Sequence, residues 1–236
     1  MFQCVLSQRF SSDISGNPFD YYRNLRVTNP SNYLYFYDFE DYQIIGASPE
    51  SLVSVKDGIV TTNPIAGTRP RGNDEEEDQQ LAADLSTDTK EVAEHRMLVD
   101  LGRNDIGRIA QIGTVEVTKY MEVEYFRYVM HLTSIVKGQL LENLTVLDAL
   151  KATLPAGTVS GAPKIRAMQR IYELEKEKRG IYAGAIGYLS ATGDMDFAIA
   201  IRTMVVKNRK AYVQAGAGIV YDSVPENEFQ ETLNKA

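Results

Sequence analysis

Glutamates carry the first chemical signal. Glu91, Glu94, Leu98 and Leu101 follow an i, i+3, i+7, i+10 spacing, so on a helix the two carboxylates continue an apolar stripe. Near the end of the chain Glu228, Glu231 and Lys235 repeat the i, i+3, i+7 pattern, and Ser223 with Glu226 has the S-x-x-E form of a capping box. Two helices that each offer a carboxylate pair suit a hard divalent cation such as Mg2+, which takes a few carboxylates, water and oxygens of an anionic substrate. Solvated helix faces would produce the same pattern, and both readings stand.

Two glycine-rich segments suit an anion. Gln214–Val220 places Gly216 and Gly218 at the end of a strand-like run, where backbone N–H groups could hold a carboxylate. A tight turn or bulge is the alternative, and the third glycine of a dinucleotide fingerprint is missing. Leu154–Lys164, containing Gly157 and Thr158, joins two helices through small residues, and a helix opening at Pro163 would offer free N–H groups. A plain connection fits equally well, and the P-loop spacing is absent. Neither His95 nor His131 has a cysteine or histidine partner at zinc spacing, so each reads as structural or as a lone acid–base group. Cys4 lies in an apparent strand with no base nearby in sequence, which gives no support to a thiol nucleophile.

The elements that must position these groups alternate irregularly. Strands are predicted at 2–9, 33–37, 42–45, 52–55, 59–62, 115–119, 126–136, 181–189, 197–206 and 211–215. Helices are predicted at 19–25, 74–112 with a break near Ser86–Asp88, 146–153, 163–177 and from about Val224. Strands in runs favour an α+β fold with largely antiparallel sheets over a doubly wound nucleotide fold. The 236 residues are 44% hydrophobic and 24% charged, as in an ordinary globular protein. A net charge of −7 opposes nucleic-acid binding, and no apolar run reaches the ~20 residues of a membrane span. A single cysteine points to a reducing cytoplasm. Both chain ends read as cut, as in a piece of a longer protein.

Long motifs then add a family. PIAGTRPRG (Pro64–Gly72), KEVAEHRMLVDLGRND (Lys90–Asp105), MHLTSIVKG (Met130–Gly138), LPAGTVSGAPKIRAM (Leu154–Met168), RGIYAGAIGYLS (Arg179–Ser190), AIRTMVV (Ala200–Val206) and QAGAGIVYDSVPENEFQET (Gln214–Thr232) occur in one order. Together they resemble the chorismate-utilising enzymes of the anthranilate synthase type. The resemblance implies a single chorismate-binding catalytic domain over 1–236, built of two packed, largely antiparallel β-sheets flanked by helices. It implies Glu94 and Glu231 as Mg2+ ligands, with Glu91 and Glu228 beside them, and Glu50 as the general acid. It assigns Tyr182 and Arg202 to the enolpyruvyl carboxylate. Gly67, Gly157, Thr158, Gly216, Gly218 and Lys235 become further substrate contacts, and Thr68 and His131 substrate-side catalytic positions. His131 is the candidate for assisting pyruvate elimination.

Two positions separate the subfamilies. Isochorismate and salicylate synthases carry a water-activating lysine where this chain has Gln3; aminodeoxychorismate synthases carry a nucleophilic lysine where it has Ala66. Without either lysine, free ammonia is the simplest nucleophile and anthranilate the expected product. Aminodeoxychorismate synthesis and a catalytically silent docking module are the alternatives. Ammonia would come from a separate glutamine amidotransferase. Asn29–Leu34 resembles the family's tryptophan-feedback segment, departing from it at Asn32 and Leu34.

Overall fold

The computed structural model describes all of residues 1–236. The chain runs β1 (Gln3–Asp13), α1 (Pro18–Thr28), β2 (Tyr33–Asp38), β3 (Gln43–Ser48), β4 (Ser51–Lys56), β5 (Ile59–Thr62), β6 (Ile65–Pro70), α2 (Glu75–Thr87), α3 (Thr89–Gly107) and β7 (Glu116–Tyr125). It continues through β8 (Val129–Gln139), α4 (Val146–Thr153), α5 (Gly157–Ser160), β9 (Gly161–Ala162), α6 (Lys164–Leu174), β10 (Ala185–Leu189), β11 (Met195–Ile199), β12 (Thr203–Lys207), β13 (Lys210–Ile219) and α7 (Pro225–Lys235). These elements form two compact units: Met1–Ser51 with Pro155–Gly187 and Phe197–Ala236, and Leu52–Leu154 with Tyr188–Asp196.

The first unit is built on a six-stranded sheet in the order β2-β3-β12-β13-β1-β9. Its spine is the antiparallel pairing of β1 with β13, from Cys4 opposite Ile219 to Asp13 opposite Lys210. Val5, Ile44, Ile45, Ala47, Ala215 and Ala217 are buried here. α6 contributes Ala167 and Ile171 to the interior, and the Cys4 thiol lies 3.9 Å from the Ala167 carbonyl.

Three expectations about this unit need correction. The predicted helix to Glu177 stops at Leu174, because the Glu175 side chain is taken by Ser7 and Arg179 instead of facing solvent. The single strand predicted over 197–206 is two, β11 and β12, broken where Arg202 adopts φ +50°. The S-x-x-E capping box does not form: α7 starts at Pro225 with Val224 as N-cap, and the Ser223 hydroxyl accepts instead from the Val220 N–H at 3.0 Å.

The other sheet has seven strands, β10-β11-β4-β5-β8-β6 with β7 also on β8, of which β5, β6, β7 and β8 lie wholly in the second unit. β8 pairs antiparallel with β5, β6 and β7, so it sits in the middle of this sheet. Ala82 and Leu85 of α2 pack with Met130 and Leu132 of β8, and Leu81, Val92 and Val123 close the cluster. The predicted helix break is real: Asp88 ends α2 and caps α3, accepting from the N–H groups of Lys90 and Glu91 at 2.9 and 3.1 Å. β6 was not anticipated, since its Gly and Pro residues mask the strand pattern. Leu132 is 1% exposed, and Leu132→Ala should lower the unfolding free energy by about 2–5 kcal/mol. Urea unfolding checks this; a loss below about 1 kcal/mol would contradict the packing described.

Candidate active site

Glu50 sits in the first unit, at the corner between β3 and β4. The corner is fixed by Ser48, whose buried hydroxyl donates to the Ile199 carbonyl at 2.7 Å, while the Ile199 N–H donates to the Glu50 carbonyl at 3.0 Å. As a residue Glu50 keeps some exposure, but its carboxyl is surrounded by protein. Burial pushes its pKa above the ordinary value, against the opposing effects of a Thr158 hydrogen bond and the charges of Lys235 and Arg202. Thr158, on α5, donates its hydroxyl to Glu50 Oε2 at 3.1 Å. A carboxyl whose pKa is raised, beside a hydroxyl and two cations, has the chemistry of a general acid toward a departing oxygen.

The cations come from separate elements. Arg202 projects from the β11–β12 break, and its Nη1 donates to the Lys235 carbonyl at 2.5 Å. Burial lowers its pKa, partly opposed by Glu50, Tyr182 and Glu231, so its charge lacks a full counter-charge. Such a guanidinium is a receptor for a carboxylate. Lys235 pairs with Glu231 at 2.5 Å and lies 3.5 Å from the Gly216 carbonyl. Tyr182 is buried, and desolvation pushes its phenol up to about 12, so the group stays a neutral O–H donor. Gly216 and Gly218 lie inside β13, not at its end as expected. A Cβ on Gly216 would stand 2.7 Å from Tyr182 Oη, and one on Gly218 would stand 2.5 Å from Gln3 Nε2. The glycines therefore serve close approach rather than a turn. A pocket of about 280 Å3 adjoins Tyr182, with Arg9, Arg179, Tyr212 and Gln214 in its wall.

In the second unit, β6 bulges between Ala66 and Thr68. Gly67 takes φ +77° there, and a Cβ on it would stand 3.2 Å from Glu91 Oε2. His131 of β8 places Nδ1 3.0 Å from both the Gly67 carbonyl and the Thr68 hydroxyl. A carbonyl can only accept, so the proton sits on Nδ1 and Nε2 keeps a lone pair. Burial lowers the His131 pKa, partly opposed by the hydrogen bond to Gly67, which favours the neutral ring.

Glu91 and Glu94 lie one turn apart on α3. Desolvation and then the Glu94 charge raise the Glu91 pKa, while Arg69 at 3.6 Å relieves it in part. A cation would relieve the remaining strain between these carboxylates, so their chemistry fits Mg2+. No three acidic, histidine or cysteine side chains gather as a metal-binding cluster. Glu228 and Glu231 are half-buried on α7. His95 is fully buried 2.7 Å from the Ser134 hydroxyl, with burial depressing its pKa to about 4, and so has a structural place.

Of the expected residues, the first unit brings together Glu50, Thr158, Tyr182, Arg202, Gly216, Glu231 and Lys235, with Gly157 opening α5. The second brings together Gly67, Thr68, His131 and Glu91, with Glu94 on the same helix. Reading the sequence missed Ser48, Arg69, Glu175 and Arg179. The last opens the RGIYAGAIGYLS motif, but its partners Val5 and Val159 are distant in sequence.

Residues 1–236 match the family model of chorismate binding enzymes. The chain belongs to the chorismate binding enzyme family. It is 66% identical over its whole length to anthranilate synthase component 1 of Lactococcus lactis, covering 52% of that protein. It superposes on the crystal structure of anthranilate synthase component I from Streptococcus pneumoniae TIGR4 with a TM-score of 0.94 at 79% identity, covering 100% of this chain and 52% of that one. The menaquinone-specific isochorismate synthase of Escherichia coli gives 0.89 at 28% identity, covering 99% and 54%. The chain thus spans about half the length of the anthranilate synthase relatives it matches. No helix is long and apolar enough to cross a membrane.

The raised Glu50 pKa has a signed consequence. Its neutral form stabilises the fold below the ordinary value of 4.5, and that contribution fades as pH rises through the folded-state pKa. Glu50→Gln should therefore gain stability relative to the parent as pH rises from about 4 to 8. Urea midpoints across that range check it; a difference independent of pH would contradict a raised pKa.

Proposed function

We propose that this chain converts chorismate to anthranilate, as the catalytic portion of an anthranilate synthase large component. The observation that carries the reading is the Glu50 carboxyl, enclosed by protein with the Thr158 hydroxyl 3.1 Å away and Lys235 and Arg202 close enough to act on it, and with burial raising its pKa. Alanine at position 66 and glutamine at position 3 leave no lysine nucleophile at either subfamily position, which favours diffusible ammonia.

Glu50 gives its proton to the ring hydroxyl, which leaves as water while ammonia adds to the ring. Arg202 and the Tyr182 hydroxyl hold the enolpyruvyl carboxylate, and Lys235 and the backbone at Gly157, Thr158, Gly216 and Gly218 give further contacts to the anion. Gly67 and Thr68 form the substrate-side bulge that orients His131. The Nε2 lone pair of His131 then takes the proton from the aminated ring carbon, and pyruvate departs as the ring becomes aromatic. The family resemblance makes Glu94 and Glu231, seconded by Glu91 and Glu228, the Mg2+ ligands. When bound, Mg2+ neutralises the ring carboxylate and stabilises charge as the hydroxyl departs. A glutamine amidotransferase in the cytoplasm would supply the ammonia.

Chorismate, Mg2+ and an ammonium salt should yield fluorescent anthranilate. A chelator should stop the reaction, and Glu50→Gln should lower kcat by roughly 10²–10⁴-fold. Isochorismate or 4-amino-4-deoxychorismate as the sole product, or undiminished turnover by the Glu50 variant, would overturn the assignment.

A further inference from the structure

Arg179 lies outside every role assigned above, yet its guanidinium gathers four separate pieces of the first unit. Its Nε and Nη2 donate to the two carboxylate oxygens of Glu175 at 2.8 and 2.6 Å. Nη2 also donates to the Val5 carbonyl of β1 at 2.7 Å, and Nη1 to the Val159 carbonyl of α5 at 2.6 Å. Four of the five N–H groups are thus committed in one plane. The guanidinium carbon stands 5.4 Å from the centroid of the Tyr182 ring, within cation–π range.

The pair is itself pinned. The Arg179 and Glu175 side chains are only 16% and 9% exposed. Glu175 Oε1 accepts from both the N–H and the hydroxyl of Ser7 at 2.8 Å, and Gln214 donates to that hydroxyl at 2.8 Å. Burial disfavours the Glu175 carboxylate, but Arg179 and Ser7 outweigh it and hold its pKa below the ordinary range. The guanidinium therefore has one fixed location relative to β1 and β13. Val159 follows Thr158, the residue whose hydroxyl meets Glu50, and Tyr182 lies three residues beyond Arg179.

We propose that Arg179 is a positioning residue of this site: its fork fixes the Gly157–Ser160 turn and the Tyr182 ring against β1, and so sets where Thr158 meets Glu50 and where Tyr182 meets a substrate carboxylate. The proposal rests on the chorismate reading for its substrate, but not for its geometry. A planar fork is required, because an ammonium cannot reach Glu175, Val5 and Val159 together. Displacing a catalytic contact by about 1 Å costs on the order of 10²-fold in rate.

The test uses Arg179→Met, Arg179→Lys and Glu175→Gln in the complete chain. Hydrogen exchange read by mass spectrometry should accelerate in peptides covering 157–161 and 179–183 of both Arg179 variants, with β12 and β13 unchanged. Chorismate affinity and kcat should both fall, together by about 10–100-fold in kcat/KM, with Arg179→Lys no better than Arg179→Met. Glu175→Gln, which keeps one of the two acceptor oxygens and loses the charge, should lie between them and the parent and guards against misfolding of the Arg179 variants. Exchange that rises evenly over the whole chain, or an Arg179→Lys variant equal to the parent in both readouts, would overturn the proposal. If the parent itself does not bind chorismate, the functional reading fails while the exchange pattern still decides the role of Arg179.

Discussion

The site is organised around a carboxyl whose pKa burial raises while positive charges beside it pull the other way. Arg202 and Lys235 both favour the ionised form of Glu50, and so does the Thr158 hydroxyl; burial outweighs all three. The β3–β4 corner provides that burial through backbone bonds, with Ser48 and the Glu50 carbonyl both tied to Ile199. Flexible side chains could relax toward water, whereas backbone and glycine-flanked strands cannot. The fold therefore holds Glu50 in an environment that costs stability and confers acidity at the right place.

The same constraint resolves the contradiction between an anionic ligand and a chain of net charge −7. Positive charge is concentrated locally, where Arg202 and Lys235 stand near Glu50 and glycine lets the backbone come close. Arg202 illustrates this: its φ of +50° breaks what would otherwise be one strand, and the break directs the guanidinium to the Lys235 carbonyl. Backbone strain at a non-glycine residue is retained where it serves a site.

Much of this was legible in the sequence. β5 and α4 coincide with their predicted spans, the Asp88 helix break was visible, and the strand-rich order pointed to antiparallel sheets. These features are local: turn residues, caps and hydrophobic periodicity determine them. Of the residues singled out by the motif resemblance, Thr158 donates to Glu50, and Arg202 and Lys235 both act on that carboxyl. What escaped was set by long-range partners. Glu175 continues a helical pattern, and only Ser7 and Arg179, distant in sequence, explain why α6 stops short. Gly216 and Gly218 resemble a turn until Tyr182 and Gln3 are seen against them. Ser223 and Glu226 match a capping box, yet Ser223 is taken by the preceding turn at Val220.

The protonation of Glu50, on which its role as an acid turns, can be observed directly. Infrared difference spectra between the protein and Glu50→Gln, recorded across pH, isolate the C=O stretch of this one carboxyl. A pKa raised by burial predicts a protonated-carboxyl band that persists above the ordinary carboxylate range. A Glu50 band that vanishes within that range, leaving carboxylate alone, would contradict it.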